Sequence, residues 1–245
     1  MNSLGSIETR TFASAETLAH DVADWLCGLA QASDRVFAVN LSGGSTPQRL
    51  YECLVAPEIA SRFPWNRTHW FWGDERFVPH NHRDSNFRMA NEAFLSRVPV
   101  PSGNIHAVLT EGVSPEEAAT AYEKTLKRFY GADRLAPARP LFDVTLLGIG
   151  EDGHTASLFP GQPALQETRR WVVAVIGAKS EPRITLTYPA LNSSRDVAFV
   201  VTGGEKRQVV TRAQAGDGTI PAGVISPIGR LHWFTDRAAA PERAN

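Results

Sequence analysis

Apolar runs rich in β-branched and aromatic residues recur along the chain and alternate with longer segments of helical spacing. Apolar positions three or four residues apart predict helices at 15–32, 47–54, 85–95, 115–129 and 205–215. The short runs predict strands at 36–41, 69–72, 142–147, 172–176, 184–187, 197–201 and 231–234. This alternation is typical of a three-layer α/β fold, with helices on both faces of a largely parallel sheet.

The length of the chain fits one domain. Its 245 residues, 42% of them hydrophobic, suffice for a single α/β core, which we expect to span 1–245. Residues 132–140 are predicted as a connecting loop and residues 238–245 as a frayed tail. Residues 1–11 lack the basic start and apolar run of a secretion signal, and no stretch has the length of a membrane span. We expect a cytoplasmic protein that associates with no membrane.

Charge and cysteine content narrow the function further. The chain mixes 25 basic with 26 acidic residues, so it presents no field suited to a polyanion, and we expect no nucleic-acid partner. Cys27 and Cys53 lie in half-apolar helical stretches and are predicted as reduced packing residues. His80 and His82 stand two positions apart on a loop and would need further ligands to hold a metal. We therefore expect neither a metal nor another cofactor.

Three polar, glycine-containing segments follow predicted strands, at 42–47, 73–76 and 148–157. Ligands of open parallel sheets bind outside the carboxyl ends of the strands, so the three segments are expected to share one crevice. In the first segment, Gly43 and Gly44 let backbone approach a ligand, and the Thr46–Pro47 pair suits the cap and first position of a helix. Its N–H groups would face an anion, although an ordinary strand-to-helix turn explains the segment equally well.

The second segment places Asp74, Glu75 and Arg76 directly after an aromatic strand. Burial of such charges is energetically costly unless they are paired with opposite charges or take part in binding or catalysis. A structural salt bridge and a catalytic role for Asp74 and Arg76 therefore both remain open. Residues 84–86 are predicted as the turn that enters the next helix.

The third segment contains Gly-x-Gly-x-x-Gly after a strand, which is one feature of a dinucleotide-binding fold. We reject that interpretation because the motif needs a long helix immediately afterwards, and Pro160, Gly161 and Pro163 allow at most a short turn. Within this segment, Asp152 and His154 remain as candidate functional residues. An imidazole with an orienting carboxylate is the usual general base near neutral pH, so we predict that both are catalytic.

Basic residues further along complete the candidate site. A guanidinium and an ammonium can share one anion, which favours a phosphate role for Arg183 and Lys206. For Lys179 a solvated surface charge is slightly favoured over a contact with the phosphate. The predicted phosphate-binding set is Gly43, Gly44, Ser45, Thr46, Arg183 and Lys206.

Five motifs together resemble the 6-phosphogluconolactonase family in their order and spacing. They are SGGSTP (42–47), GDERFVP (73–79) with DSN (84–86), LLGIGEDGHTASLFPG (146–161), RITLTYPALN (183–192) and LHWFTDRAA (231–239). The resemblance covers nearly the whole chain and implies a Rossmann-like, NagB/RpiA-like fold. It also implies a carboxylic ester hydrolase that converts 6-phospho-D-glucono-1,5-lactone to 6-phospho-D-gluconate in the oxidative pentose phosphate pathway.

For that reaction, His154 would take a proton from the attacking water while Asp152 orients the imidazole. Arg76 or nearby backbone N–H groups would stabilise the oxyanion, and Asp74 would hold sugar hydroxyls or steer the water. The sequence leaves open which of Arg76 and Arg183 faces the carbonyl and which the phosphate.

Two other functions stay open. Glucosamine-6-phosphate deaminases resemble the chain at the glycine loop, at Asp74 and at Asp152 to His154. They carry an acidic residue five positions after that histidine, where this chain has Phe159. A non-enzymatic sugar-phosphate sensor would use the same crevice, but no appended interaction module is visible. The expected partner is a small sugar-phosphate lactone, and the expected state is a monomer or weak homo-oligomer.

Overall fold

The computed structural model describes residues 6–242 of the chain. Its strands are β1 (Ile7–Phe12), β2 (Phe37–Leu41), β3 (Thr68–Trp72), β4 (Asp74–Arg76), β5 (Phe142–Leu147), β6 (Val172–Val175), β7 (Arg183–Leu186), β8 (Ser194–Val201) and β9 (Arg230–Asp236). Its α-helices are α1 (Ala15–Ala32), α2 (Ser45–Leu54), α3 (Pro57–Ala60), α4 (Asn86–Ala93), α5 (Pro115–Tyr130), α6 (Tyr188–Asn192) and α7 (Arg207–Gln214). None of the described helices is long and apolar enough to cross a bilayer.

Six strands form one parallel sheet in the order β1-β9-β8-β5-β2-β3. Strands β8, β5 and β2 are therefore direct neighbours, and their carboxyl ends lie at the same edge of the sheet. The segments that follow these three strands along the chain consequently meet in space, as the strand-end rule predicts.

Helices cover both faces of this sheet. Phe129 of α5 packs against Phe71 of β3, whereas Trp25 of α1 packs against Phe234 of β9. The register through β2, β5 and β8 places Phe71 level with Leu231 of β9, so these two side chains point to the same face. Phe234 is three positions after Leu231, and side chains alternate between faces along a strand, so Phe71 and Phe234 point to opposite faces. The predicted three-layer, largely parallel α/β fold is confirmed.

A second sheet of three antiparallel strands, in the order β4-β7-β6, continues from the end of β3. Gly73 connects the two sheets. Its N–H donates to the carbonyl of Leu41 in β2, and its own carbonyl accepts from the N–H of Leu186 in β7. This connection places β4 and β7, with their charged residues, beside the carboxyl ends of the parallel strands.

The buried apolar side chains form one contiguous cluster that includes the fully buried Trp70, Trp72 and Trp233. Cys27 belongs to this cluster and Cys53 packs against it, and both are free thiols. The interpretation of the two cysteines as reduced packing residues is confirmed.

Two strands and two short helices were not predicted. Strand β1 has the sequence IETRTF, and five of its six residues are exposed because it lies at the edge of the sheet. Strand β4 consists of Asp-Glu-Arg and is equally unlike an apolar run. Helices α3 and α6 span only 4 and 5 residues, too few for an apolar periodicity to show.

The prediction of a frayed tail at 238–245 is wrong for its described part. Ala239 is fully buried and donates its N–H to the carboxylate of Asp236. Arg207 of α7 donates to the carbonyl of Ala238, which fixes this segment from the other side. Residues 243–245 lie outside the described residues.

Two histidines pack together beneath α5. His69 Nδ1 and His106 Nε2 lie 2.9 Å apart, and the His106 ring stacks on Phe71 at 4.3 Å between centroids. Burial, followed by the neighbouring His69, lowers the pKa of His106 to about 4. Burial also lowers the pKa of His69.

We expect this pair to destabilise the protein in acid. The folded pKa of His106 lies below the unfolded value of about 6.5, so its contribution to stability is complete above that pH. As the pH falls from about 6.5 towards 4, the unfolded chain binds the proton first, and on the order of 1–2 kcal/mol is lost after allowance for partial exposure. Urea unfolding of His106→Gln at pH 7 and pH 4.5 should show a smaller acid loss than the native chain. His20→Gln, at an exposed position of α1, should show the native loss, and equal losses in all three proteins would contradict the assignment.

Candidate active site

A cavity of about 390 Å³ opens at the carboxyl ends of the parallel strands, beside the small sheet. All three glycine-containing segments line it. Of the ten predicted site residues, nine line the cavity: Gly43, Gly44, Ser45, Thr46, Asp74, Arg76, His154, Arg183 and Lys206. The tenth, Asp152, lies behind His154 and contacts its imidazole. The structure therefore brings the predicted residues together, although their roles stay predictions.

The glycine loop joins β2 to α2. The helix begins earlier than predicted, because Gly44 rather than Thr46 is its cap and Ser45 is its first residue. Gly44 has a φ of 108°, a backbone conformation that residues with a side chain rarely adopt. Pro47 consequently lies at the third helical position, where its missing N–H removes no helical hydrogen bond. The N–H groups of Ser45 and Thr46 have no acceptor within the helix and can bind an anion.

Two contacts fix this loop in place. A Cβ atom at residue 43 would lie 2.1 Å from Oδ1 of Asn86, so the loop packs directly on Asn86 only because Gly43 has no side chain. On the other side, the hydroxyls of Thr46 and Thr202 lie 2.8 Å apart. The loop after β2 is thereby tied to the loop after β8.

The imidazole of His154 forms a hydrogen-bonded pair with Asp152. His154 Nδ1 lies 2.5 Å from Asp152 Oδ1, and the backbone N–H of His154 donates to the same oxygen. With the carboxylate ionised, Nδ1 carries the proton and Nε2 is the basic nitrogen. Gly150 and Gly153 make this turn possible. A Cβ atom at residue 150 would lie 2.1 Å from the imidazole, and Gly153 has a φ of 83°.

The surroundings of this pair favour an ionised carboxylate. Burial alone would raise the pKa of Asp152, but the hydrogen bonds from the side chain and backbone of His154 lower it below its ordinary value. The charge of Lys179 acts in the same direction. Phe159 packs on His154 with 4.6 Å between ring centroids and limits the movement of the imidazole. The pair can therefore accept a proton at Nε2 while Asp152 stabilises the resulting imidazolium.

Asp74 and Glu75 have different roles, and within residues 6–242 neither forms a salt bridge with Arg76. Glu75 is buried and accepts the N–H groups of Asn86 and Phe87, each at 2.7 Å. It therefore caps α4 from outside the helix. Burial raises the pKa of Glu75, and these hydrogen bonds oppose the increase. Asp74 lines the cavity instead, and its Oδ2 accepts a hydrogen bond from Ser157.

Arg76 and Arg183 face each other across β4 and β7. Arg76 donates to the carbonyl of Asp84, whereas the nearest carboxylate oxygen to Arg183 belongs to Glu181 at 3.8 Å. Nε of Arg76 and Nη1 of Arg183 are buried and find no acceptor within residues 6–242. Burial, followed by the charge of Arg76, lowers the pKa of Arg183. Two adjacent guanidiniums with unused donors are suited to bind an anionic ligand.

Two lysines also line the cavity. Lys206 ends the 3-10 turn Gly204–Lys206 that precedes α7. Lys179 is exposed, as expected of a surface residue, but its ammonium lies 5.2 Å from the centre of the Phe159 ring. It is thus a cation at the rim of the cavity rather than a distant surface charge.

Sequence reasoning missed Ser157, Asn86 and Thr202, all of which line the cavity. Ser157 and Asn86 lie within motifs that the sequence analysis singled out, but nothing local distinguishes them from ordinary turn residues. Thr202 directly follows β8, and its position at a strand end was the one available signal.

The two loop histidines contact backbone groups of the protein. His80 Nε2 contacts the carbonyl of Val108, and His82 Nδ1 accepts the N–H of Asp84. Across residues 6–242, no three His, Cys, Asp or Glu side chains group closely enough to hold a metal ion. Metal-free chemistry stays a prediction.

Comparison with known proteins supports the motif resemblance. A family described as glucosamine-6-phosphate isomerases/6-phosphogluconolactonase matches residues 13–233. The 6-phosphogluconolactonase of Nostoc sp. is 45% identical over 210 residues, which cover 84% of each chain. The 6-phosphogluconolactonase of Synechocystis sp. is 42% identical over 204 residues, which cover 82% of each chain.

Solved structures agree. The 6-phosphogluconolactonase of Thermotoga maritima has a TM-score of 0.78 and 32% identity over 95% of this chain and 100% of its own. The Trypanosoma brucei 6-phosphogluconolactonase has a TM-score of 0.81 and 28% identity over 96% of this chain and 98% of its own. A monomeric glucosamine-6-phosphate deaminase of the NagB superfamily has a TM-score of 0.78 and 17% identity over 95% of this chain and 98% of its own. At this identity the similarity shows a shared fold alone.

Proposed function

Because the chain belongs to the glucosamine-6-phosphate isomerase/6-phosphogluconolactonase family, we propose that it hydrolyses 6-phospho-D-glucono-1,5-lactone to 6-phospho-D-gluconate. This is the second step of the oxidative pentose phosphate pathway, and the enzyme is a carboxylic ester hydrolase. The observation that carries the proposal is the Asp152–His154 pair at a cavity whose other groups suit a phosphorylated sugar.

In the proposed mechanism, His154 is the general base. Nε2 takes a proton from a water molecule while the water oxygen forms a bond to the lactone carbonyl carbon. The tetrahedral intermediate then collapses, the bond between that carbon and the ring oxygen breaks, and the proton passes from Nε2 to the ring oxygen. The products are a carboxylic acid, which ionises, and a free hydroxyl. Asp152 holds Nδ1–H throughout and stabilises the transient imidazolium.

Charge on the carbonyl oxygen has to be stabilised as the water attacks. Arg76 is the proposed donor, together with backbone N–H groups of the loop after β5. Asp74 lines the same cavity as an acceptor and is proposed to hold the sugar hydroxyls or to steer the water.

The phosphate is proposed to bind away from the reacting carbon. The candidate donors are the N–H groups at the start of α2, the guanidinium of Arg183 and the ammonium of Lys206. Binding energy from this remote group orients the lactone against His154, which raises the rate of the chemical step.

The residue at 159 argues against a deaminase. Ring opening and isomerisation of an amino sugar need a further carboxylate beside the histidine. Here the apolar ring of Phe159, itself buried, packs against His154 at that place. A non-enzymatic sensor is disfavoured because the base and its orienting carboxylate are both in place.

The decisive assay measures the hydrolysis of freshly generated 6-phosphogluconolactone. Proton release is the readout, and the rate of spontaneous opening is subtracted from it. We expect the native protein to accelerate opening and to release no ammonia from glucosamine 6-phosphate. Ammonia release would establish the deaminase instead, and binding of either ligand without turnover would establish the sensor.

A chelator separates metal-free from metal-dependent hydrolysis. His154 and the arginines supply a base and cations without a metal, so we expect prolonged incubation with EDTA to leave the rate unchanged. A loss of activity that zinc restores would contradict this expectation and direct attention to His80 and His82. The cytoplasmic location and the monomeric or weakly oligomeric state stay predictions.

A further inference from the structure

Ser157 donates a short hydrogen bond to the carboxylate of Asp74. Its Oγ lies 2.6 Å from Asp74 Oδ2, and the exposed fractions of the two residues are 1% and 8%. The N–H of Ser157 donates to Oγ1 of Thr185 in β7, so the position of the serine is fixed independently of Asp74. A buried hydrogen bond from a fixed donor to a carboxylate is among the stronger ones in proteins.

The backbone of Asp74 is fixed by contacts of its own, whereas its side chain depends on Ser157. Asn86 Nδ2 donates to the carbonyl of Asp74 at 2.9 Å, and β4 pairs Asp74 with Thr185. Ser157 is the one side chain within residues 6–242 that donates to the carboxylate. Oδ2 is thereby occupied, and Oδ1 is the oxygen left to accept a hydrogen bond from a ligand in the cavity.

The Arg183 guanidinium can compete with Ser157 for this carboxylate. The charge of Asp74 acts on the Arg183 guanidinium, whose Nη1 is buried and finds no acceptor within residues 6–242. A carboxylate freed from Ser157 would turn towards that cation. The resulting ion pair would occupy both an acceptor needed for the sugar and a donor needed for the phosphate.

We propose that Ser157 is a positioning residue: its hydroxyl holds Asp74 Oδ2 so that Oδ1 faces the sugar and the carboxylate stays apart from Arg183. The inference rests on the proposed function, in which Asp74 accepts hydrogen bonds from sugar hydroxyls.

A double-substitution cycle tests this role. Ser157→Ala should lower kcat/KM for the lactone by about tenfold to a hundredfold, the loss expected for one hydrogen bond to a charged group. In an Asp74→Asn background the same substitution should cost less than about twofold, because the carboxylate is already absent. Ser157→Thr, which keeps the hydroxyl, should recover most of the activity.

A matched control is Ser193→Ala, since Ser193 is equally buried and its hydroxyl accepts the N–H of Leu141 at the opposite end of the sheet. This change should lower the melting temperature and leave kcat/KM unchanged. If Ser157→Ala costs the same factor in both backgrounds, or if Ser157→Thr is as impaired as Ser157→Ala, the positioning role is overturned while lactone hydrolysis stands. If the native protein itself fails to accelerate opening, the proposed function fails and the inference fails with it.

Discussion

Replacement of His154 by alanine should lower the rate of lactone hydrolysis by roughly two to four powers of ten, the usual contribution of a general base. The substitution removes Nε2 as proton acceptor and leaves the remaining groups of the cavity in place. Phosphate affinity should therefore be nearly unchanged, because the imidazole contacts Asp152 and Phe159 rather than the glycine loop. Proton release from fresh lactone gives the rate, and inhibition by inorganic phosphate gives the affinity.

Two further variants separate catalysis from folding. Asp152→Asn keeps the size of the side chain but can no longer enforce the tautomer with the proton on Nδ1, so its rate should fall towards that of His154→Ala. His20→Ala replaces an exposed histidine of α1 and should have native activity. Native turnover by His154→Ala would remove this residue from the mechanism.

The Asp152–His154 pair could be predicted from the sequence because its geometry is local. The two residues are two positions apart, and glycines at 150 and 153 permit the tight turn that brings them together. The contact between Asp74 and Ser157 joins residues 83 positions apart, and no local pattern encodes it. The pairing of Arg76 with Arg183 likewise depends on the register of β4 and β7.

The fold shows the same division. Strand β5 (FDVTLL) is buried on both faces and mostly apolar, and its bounds were predicted to the residue. The edge strand β1 carries polar side chains because solvent reaches it, so its sequence resembles a loop. The start of α2 was misplaced for a different reason. Thr46-Pro47 is a favourable helix start, but the φ of 108° at Gly44 lets the chain begin the helix earlier.

Arg183 offers a test in which activity and stability should change in opposite directions. Its side chain is only 12% exposed, it faces Arg76 across the strands, and it lacks a close carboxylate partner. Arg183→Leu removes a buried charge and its repulsion from Arg76, so thermal stability should be equal to that of the native protein or higher.

The same substitution should lower kcat/KM for the phosphorylated lactone by about a hundredfold to a thousandfold, corresponding to the loss of two charge-assisted hydrogen bonds to phosphate. Hydrolysis of unphosphorylated glucono-1,5-lactone should change by less than about threefold, since that substrate lacks the group which Arg183 is proposed to bind. Equal losses on both substrates would instead place Arg183 at the carbonyl.

Arg195→Leu provides the matched control, because Arg195 lies near the start of β8, at the opposite end of the sheet, and pairs with Asp143 at 3.2 Å. Asp143 keeps a second partner in Arg35, so the variant should fold. We expect it to lose about 0.5–1 kcal/mol of stability and to retain native kcat/KM on both substrates. An Arg183 variant that is at least as stable as the native protein but impaired in activity, beside a destabilised but active Arg195 variant, would show that the loosely paired charge at residue 183 is retained for ligand binding at the expense of stability.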